Sequence, residues 1–170
     1  MPSNPRIILA GVTSAKITPV EMTLVRLLQK NARMTNKDLA RAAGIAESTC
    51  LEKVRSLQQR GVIKGWHAEV DLAAIGRPIR VLISVRLQPK STEAVNAFQA
   101  EVLAADETLS VATVAGNDDF IVEVAVSDVD HLRTFLFEHV TNQPNVTDTH
   151  TLLVYDYKRK SVIEPVVDES

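Results

Sequence analysis

The hydrophobic side chains of residues 17–65 recur at helical spacing in three short runs. This spacing predicts three helices, with a tight glycine turn at Gly44 between the second and the third and a stop at Gly61 after the third. The predicted inward side chains are Met22, Val25 and Leu28 in the first helix, Leu39, Ala42 and Ala43 in the second, and Cys50, Val54 and Leu57 in the third.

The first two predicted helices begin with capping signals. Thr18 is followed by Pro19 at the first helical position and by Glu21, which can close a capping box. Thr35 is a good cap for the second helix, and Asp38 can complete a similar exchange. The three helices therefore form a compact domain in which only the third needs to face outward.

The second and third helices have the pattern of a helix-turn-helix. The positions opposite the inward stripe of the third helix are Glu47, Ser48, Leu51, Glu52 and Arg55. Such a face, on the second helix of the motif, can enter the major groove of DNA. An ordinary αα-hairpin packed in a core is the alternative that the pattern leaves open. After Gly61, Val62 and Ile63 predict a strand or wing.

Residues 79–158 alternate between strand and helix patterns in the order βαββαβ. The predicted strands are 80–87, 109–114, 120–126 and 146–157, and the two helices are capped by Ser91 or Thr92 and by Asp128. This order predicts a four-stranded antiparallel sheet with both helices on one face. The fold class is therefore α+β, an N-terminal winged helix-turn-helix joined to a C-terminal ferredoxin-like βαββαβ domain.

The sheet face opposite the helices has no cover within the chain. Apolar surface on both faces of the sheet is indicated by Ile83, Val85, Val122, Val124 and Leu153. A bare apolar face predicts association with a second copy of the chain, so we expect a dimer.

Charge divides the chain in the same place as the hydrophobic pattern. Residues 1–75 hold eleven Lys or Arg against six Asp or Glu, whereas residues 76–170 hold eight against fifteen. A basic N-terminal part attached to an acidic remainder predicts a module that binds a polyanion. The candidates for contact with the phosphate backbone are Lys37, Arg41, Lys53, Arg55, Arg60 and Lys64.

Composition narrows the class of protein further. The single cysteine, Cys50, is predicted to be a buried structural thiol. No segment has the length of a transmembrane span, and residues 7–12 are too short for a signal-peptide core, so we expect a cytoplasmic protein. The four histidines are scattered, and no phosphate loop or dinucleotide fingerprint occurs, so we expect no catalytic residue, metal or cofactor.

Two co-linear motifs carry a family resemblance over about residues 17–158. The first is LLQKNARMTNKDLARAAGIAESTCLEKVRSLQQRGVIKGWHAEVD, and the second is the pair AGNDDFIVEVAVSD and NVTDTHTLLVYDYK. The chain resembles the Lrp/AsnC family, the feast/famine transcriptional regulators. The resemblance implies a DNA-binding domain over 17–65 after an arm of 1–16, a connecting strand or linker over 66–78, and an effector-binding and oligomerisation domain over 79–158 before a tail of 159–170.

The resemblance also implies the partners and the sites. It implies sheet-to-sheet dimers that assemble into octamers, double-stranded DNA with an imperfect palindromic operator, and an amino-acid effector bound between dimers. The implied DNA-binding residues are Thr35, Lys37, Glu47, Ser48, Thr49, Leu51, Glu52, Lys53, Arg55 and Arg60. The implied effector-binding residues are Gly116, Asn117, Asp118, Asp119, Thr149 and Thr151. A tight hairpin turn and ordinary strand threonines are the alternative reading of this second set.

Two departures from the family pattern concern the third helix. Ala46 stands where the family usually has a serine, so Glu47 or Ser48 is expected to shift the cap. Leu51, Glu52 and Lys53 stand where basic residues are frequent, and Glu52 can accept a hydrogen bond from cytosine. We expect a different operator sequence rather than a loss of DNA binding.

Two alternatives to a regulator stay open at this stage. Two-domain relatives act as sirohaem decarboxylases, so a decarboxylase-like enzyme of the same architecture is one, and a small-molecule sensor without DNA binding is the other. The effector's identity, the operator sequence, the target genes, activation or repression, and the oligomer size beyond a dimer do not follow from the sequence.

Overall fold

The computed structural model describes residues 17–164, which divide into two compact units. One unit contains residues 17–68 together with 159–164, and the other contains residues 69–158. The predicted N-terminal arm, and the tail beyond residue 164, lie outside the described residues.

The first unit contains three helices: α1 over Pro19–Lys30, α2 over Asn36–Ala43 and α3 over Glu47–Gln59. Thr18 caps α1, and both halves of the predicted capping box with Glu21 are present. Thr35 caps α2, and Gly44 ends it in the left-handed conformation at φ 67°. These local signals set the helix bounds because each satisfies backbone groups that the helix cannot pair internally.

The core of this unit is built from one face of each helix. The buried side chains are Leu24, Leu28, Leu39, Ala40, Cys50 and Leu57. Cys50 is fully buried, and its burial raises the pKa of the thiol, which keeps it in the inert protonated form. Val62 and Ile63, predicted to open a strand or wing, pack against this core and form no strand ladder among residues 17–164.

The described part of the C-terminal tail packs on α1 within the same unit. The Arg26 guanidinium lies 2.7 Å from the Glu164 carboxylate. The Gln29 side chain accepts the Ile163 N–H at 2.8 Å and donates to the Ile163 carbonyl at 3.0 Å. Residues 163–164 are therefore fixed on the first helix by main-chain and side-chain bonds.

Residues 66–78, predicted to be a connecting strand or linker, form no strand among residues 17–164. Residues 64–71 make no ladder with any strand of residues 17–164, and a hydrogen-bonded turn follows at 72–76. Asp71 starts this turn by accepting the N–H groups of Ala73 and Ala74 with its carboxylate. A strand needs a neighbour to pair with, and this segment has none within the described chain.

The second unit is the predicted βαββαβ arrangement. Its elements are β1 over Ile79–Leu87, α4 over Thr92–Ala104, β2 over Thr108–Thr113, β3 over Phe120–Val126, α5 over Val129–Phe135 with a π-helical continuation over Leu136–Thr141, and β4 over Val146–Leu153. The sheet order is β2-β3-β1-β4, and every neighbouring pair is antiparallel. Ser91 and Asp128 cap α4 and α5. β4 ends four residues before the predicted Tyr157.

The helices cover one face of this sheet and build its core there. Val81, Ile83, Val85 and Leu87 of β1 alternate with side chains on the other face, which we call the open face. The open face carries Arg80, Leu82, Ser84 and Arg86 of β1, Ile121 and Glu123 of β3, and Asp148, His150 and Leu152 of β4.

The prediction of apolar surface on both faces of the sheet is wrong for the residues that it named. Ile83 pairs with Val122, Val81 pairs with Val124 and Leu153, and Val85 belongs to the same row, so the whole set lies on the helix-covered face. The reason is the two-residue repeat of a strand, which puts positions two apart on the same side. The open face is a mixture of apolar and charged side chains.

Candidate DNA-binding helix and effector loop

The outer face of α3 presents the side chains that the helix-turn-helix pattern predicts. Cys50 and Leu57 are buried on its inner side. The side chains of Glu47, Ser48, Leu51, Glu52 and Arg55 are exposed, and those of Thr49 and Lys53 are half-buried at the flanks. Leu51 is the apolar member and is 41% exposed, which suits contact with a thymine methyl group.

The start of α3 has no side-chain cap. Ala46 holds the cap position in an extended conformation, and no side chain accepts a hydrogen bond from the first turn. The expected shift of the cap to Glu47 or Ser48 is therefore wrong, because Ala46 already has the cap conformation and Glu47 is the first helical residue. Instead, the Asn36 side-chain amide donates to the Glu47 carbonyl at 2.9 Å and joins α2 to α3.

Two of the predicted DNA contacts have partners inside the helix-turn-helix unit. Arg60 follows α3, and its guanidinium lies 2.7 Å from the Glu21 carboxylate of α1. The Thr35 hydroxyl accepts the Asp38 N–H at 3.1 Å and donates to the Asp38 carboxylate at 2.7 Å. Arg60 and Thr35 therefore organise the unit, whereas Lys37 is exposed beside the start of α2.

Burial and polar contacts act in opposite directions on Glu21. Burial alone would raise its pKa, but hydrogen bonds from Thr18 and the positive charges of Arg60 and Lys53 prevail and lower it. The carboxylate is therefore ionised at neutral pH. It holds together the capping box of α1 and the end of α3.

The predicted effector loop joins β2 to β3. Gly116 is exposed and has a φ of 146°, a conformation that side chains rarely adopt. The Val114 N–H donates to the Asp119 carbonyl at 2.9 Å and closes the loop. The Arg86 Nε of β1 donates to the Asn117 carbonyl at 2.7 Å and fixes the tip.

Asp119 joins this loop to β1 through its side chain and its main chain. Its carboxylate accepts the Leu87 N–H at 2.8 Å and lies 2.6 Å from the Lys90 ammonium, while its own N–H donates to the Val85 carbonyl. Its side chain is only 12% exposed. The predicted contact between Asp119 and an effector's ammonium would compete with these bonds.

Thr149 and Thr151 lie on the side of β1 away from this loop. Thr149 pairs with Val85 and Thr151 with Ile83, which places both threonines in the helix-side row of the sheet. Arg86, which contacts the loop, belongs to the open-face row. A small ligand that touches Arg86 and the threonines of the same subunit would have to span the sheet.

The histidines do not gather around a common point. His131 lies 2.8 Å from Glu107, and His139 lies 3.2 Å from Glu101. Burial would raise the pKa of Glu107, but the His131 hydrogen bond and nearby positive charge outweigh burial and lower it. Within residues 17–164, no group of three or more His, Cys, Asp or Glu side chains could hold a metal ion.

No helix in this part of the chain combines the length and apolar character needed to cross a membrane.

Several of the residues that shape these sites were missed by sequence reasoning. Arg86 and Lys90 hold the effector loop, and Asn36 joins the two helices of the motif. The sequence does draw attention to Arg86, because a charged residue in a predicted apolar strand is expected to have a polar partner. Its partner is 31 positions away in the sequence, so the pairing depends on the sheet register.

The two units match two domain families. Residues 20–64 match a winged helix-turn-helix DNA-binding domain, and residues 80–163 match the Lrp/AsnC ligand-binding domain. The HTH-type transcriptional regulator AldR of Mycobacterium tuberculosis is 36% identical over 148 residues, covering 87% of this chain and 83% of that protein. The leucine-responsive regulatory protein of Haemophilus influenzae is 27% identical over 137 residues, covering 81% and 82%.

Solved structures agree with this assignment. The crystal structure of MtbAldR superposes with a TM-score of 0.70 at 33% identity, covering 84% of this chain and 97% of that one. A transcriptional regulator from Neisseria meningitidis in complex with L-Met has a TM-score of 0.79 at 20% identity, covering 89% and 97%, and shows the same fold. The two domain matches, the AldR relative and the shared fold together place this chain in the Lrp/AsnC family of transcriptional regulators.

Proposed function

We propose that the chain reads an operator with the outer face of α3, as a dimer, and that an amino acid bound at the loop over 116–119 modulates this reading. The observation that carries the DNA half is the exposed side-chain row of α3 within a matched winged helix-turn-helix domain. A helix presented in this way enters the major groove and contacts base edges with its N-terminal residues.

The side chains of α3 divide into base-reading and phosphate-binding groups. Ser48, Leu51 and Glu52 lie along the exposed row and can meet base edges. Thr49 and Lys53 at the flanks of that row, Arg55 further along it and Lys37 of α2 suit the sugar–phosphate backbone, where contacts set affinity and register. Glu47 is the first residue of α3, and its negative charge occupies the helix start, a position that favours an anion such as phosphate.

A dimer is supported by the open face of the sheet. Leu82, Ile121 and Leu152 leave apolar area in the middle of that face, between Arg80 at one end, which stacks on the Tyr157 ring at 3.6 Å, and Arg86 at the other. Two copies related by a twofold axis would present two copies of α3 to an imperfect palindrome, with half-sites about 34 Å apart or a multiple of that distance. Assembly of such dimers into octamers is part of the same proposal.

The effector half is supported by the match to the ligand-binding domain and by the shape of the loop. Gly116 and Asn117 are exposed at the tip, while Arg86 and Asp119 hold the loop to β1. Thr149 and Thr151 can join such a site from a neighbouring copy rather than from the same subunit. By linkage, operator DNA must change effector affinity by the factor by which the effector changes operator affinity.

Two measurements test this proposal on the full chain. Binding to operator DNA measured over a range of salt concentrations should weaken steeply as salt rises, because phosphate contacts release counterions. Arg55→Gln should reduce that salt slope, whereas Arg133→Gln, on exposed α5 of the other unit, should leave it unchanged. Binding to DNA that is insensitive to salt and to Arg55→Gln would overturn the assignment of α3.

A further inference from the structure

Arg86 and Asp148 stand directly opposite each other on the open face without forming an ion pair. They are register partners of β1 and β4. Side chains that face each other across such strands have Cβ atoms about 4.5–5.5 Å apart. Yet within residues 17–164 no salt bridge of 4.0 Å or less joins their charged ends, and both side chains are half-buried.

The hydrogen bond of Arg86 to the effector loop explains this separation. Its Nε donates to the Asn117 carbonyl at 2.7 Å, which turns the guanidinium toward the loop and away from Asp148. Its two terminal nitrogens make no hydrogen bond within the described part of the chain. Those nitrogens form a planar fork whose geometry matches a carboxylate.

We infer that Arg86 binds the α-carboxylate of the effector and that Asp148 binds its α-ammonium. The two charged groups of an α-amino acid are joined through a single carbon atom, so they suit a cation and an anion held this near each other. Arg86 is already fixed by the loop, so little of its conformational freedom remains to be lost on binding. This inference rests on the proposed effector function and names the residues that would recognise the backbone of an amino acid.

The assignment differs from the one that the loop alone suggests. Asp119 is tied to Leu87 and Lys90, so it is a positioning residue for the loop. The Asp148 carboxylate stands opposite Arg86 on the other side of β1 and has no hydrogen bond or ion pair within residues 17–164. The side chain of the amino acid, which sets effector identity, would then extend over the tip at Gly116 and Asn117.

The test begins with wild-type protein and each of the twenty L-amino acids in a thermal-shift assay. Titration calorimetry then compares the amino acid that stabilises the protein most with its α-amide, which lacks the carboxylate, and with its 2-hydroxy acid, which lacks the ammonium. We expect the wild type to bind each analogue about 10- to 100-fold more weakly than the amino acid, because each analogue loses one charge-assisted interaction.

Each of two variants should lose the preference of the wild type for the amino acid over one of the two analogues. Arg86→Gln should bind the amino acid and its amide with similar affinity while still discriminating against the hydroxy acid. Asp148→Asn should show the opposite pattern. Arg133→Gln and Asp130→Asn alter an exposed ion pair on α5 and serve as controls that retain both preferences.

The outcomes separate this assignment from the broader proposal. If wild type binds an amino acid but Arg86→Gln weakens the acid and the amide equally, Arg86 only holds the loop and the assignment is overturned. The same conclusion follows if both variants keep both preferences, since other groups would then hold the carboxylate and the ammonium. If no amino acid stabilises the wild type, the effector half of the proposed function fails together with this assignment.

Discussion

The guanidinium of Arg60 lies 2.7 Å from the buried carboxylate of Glu21, and the pair joins the end of α3 to the first turn of α1. Glu21 is 7% exposed and also accepts hydrogen bonds from the backbone and hydroxyl of Thr18. An ion pair in this setting differs from a surface pair, because removing one partner strands a charge that water cannot reach easily. The pair therefore fixes the helix whose outer face is proposed to read DNA.

Replacing Arg60 should destabilise the DNA-binding unit. We expect Arg60→Gln to lower the free energy of unfolding by about 1–3 kcal/mol, because Glu21 would lose its charged partner while staying buried. Arg41→Gln is the matched control, since Arg41 makes only an exposed pair with Asp38 at 3.3 Å. Urea unfolding of both variants measures the difference. Equal, negligible effects would show that the Arg60 pair is no stronger than a surface contact.

Glu21 should also contribute to acid sensitivity. Its pKa is lowered in the folded protein from the usual 4.5, so its stabilising effect is present above that value and is lost as the pH falls through the lower folded value. The free energy of unfolding of Glu21→Gln should therefore fall less than that of wild type on acidification below 4.5. Unfolding curves recorded over a pH series check this. Parallel pH profiles for the two proteins would contradict it.

The uncapped start of α3 offers a stabilising substitution. Ala46 already has the extended conformation of a cap residue but provides no side-chain acceptor. Ala46→Ser should add a hydrogen bond to the first turn and raise the free energy of unfolding by about 1 kcal/mol. Ala46→Gly, which supplies no acceptor, separates capping from simple loss of the methyl group. An unchanged melting temperature for the serine variant would show that the first turn gains nothing from a cap.

Glu52 should influence which operator is bound more than how tightly DNA is bound. It is exposed in the base-reading row of α3, where its carboxylate can accept from a cytosine amino group and repels phosphate. Glu52→Ala should change the preferred sequences selected from a randomised operator library and alter affinity for non-specific DNA little. Identical selected sequences for wild type and variant would sink this assignment.

Asp119 should hold the effector loop through Leu87 and Lys90. Asp119→Ala removes the acceptor of the Leu87 N–H and should destabilise the sheet unit by about 1–3 kcal/mol. The Leu87 amide should then exchange faster with solvent, which NMR measures directly. Lys90→Gln removes only the half-exposed ammonium and should have a smaller effect on both quantities. If Leu87 stays equally protected in Asp119→Ala, the carboxylate is not what fastens the loop.

The helices could be predicted from the sequence because their signals are local. Thr18, Thr35, Ser91 and Asp128 each cap a helix within three residues of themselves, so no tertiary information was needed. Strand ends are different, since they depend on a partner. β4 ends at Leu153, its last residue in register with β1, although its apolar pattern continues to Tyr157.

Faces and contacts were harder to predict than elements. Ile83 and Val85 are two residues apart in β1, so the two-residue repeat of a strand places them on the same face. The prediction of an apolar surface on both faces did not take this repeat into account. Contacts between distant residues are equally hard to predict. The position of Arg60 at the end of α3 predicted a DNA contact, and only the packing of α1 against α3 reveals its ion pair with Glu21. The register of β1 likewise decides that Arg86 meets the loop.

The bond from Arg86 reaches a main-chain carbonyl of the loop, not a side chain. Every amino acid offers the same carbonyl, so residue 117 can be exchanged for another without releasing the loop from β1. Position 117 of the tip can therefore vary through single substitutions while the anchorage of the loop persists. Under the proposed function, this separation would let one scaffold acquire new effectors during evolution without first losing its shape.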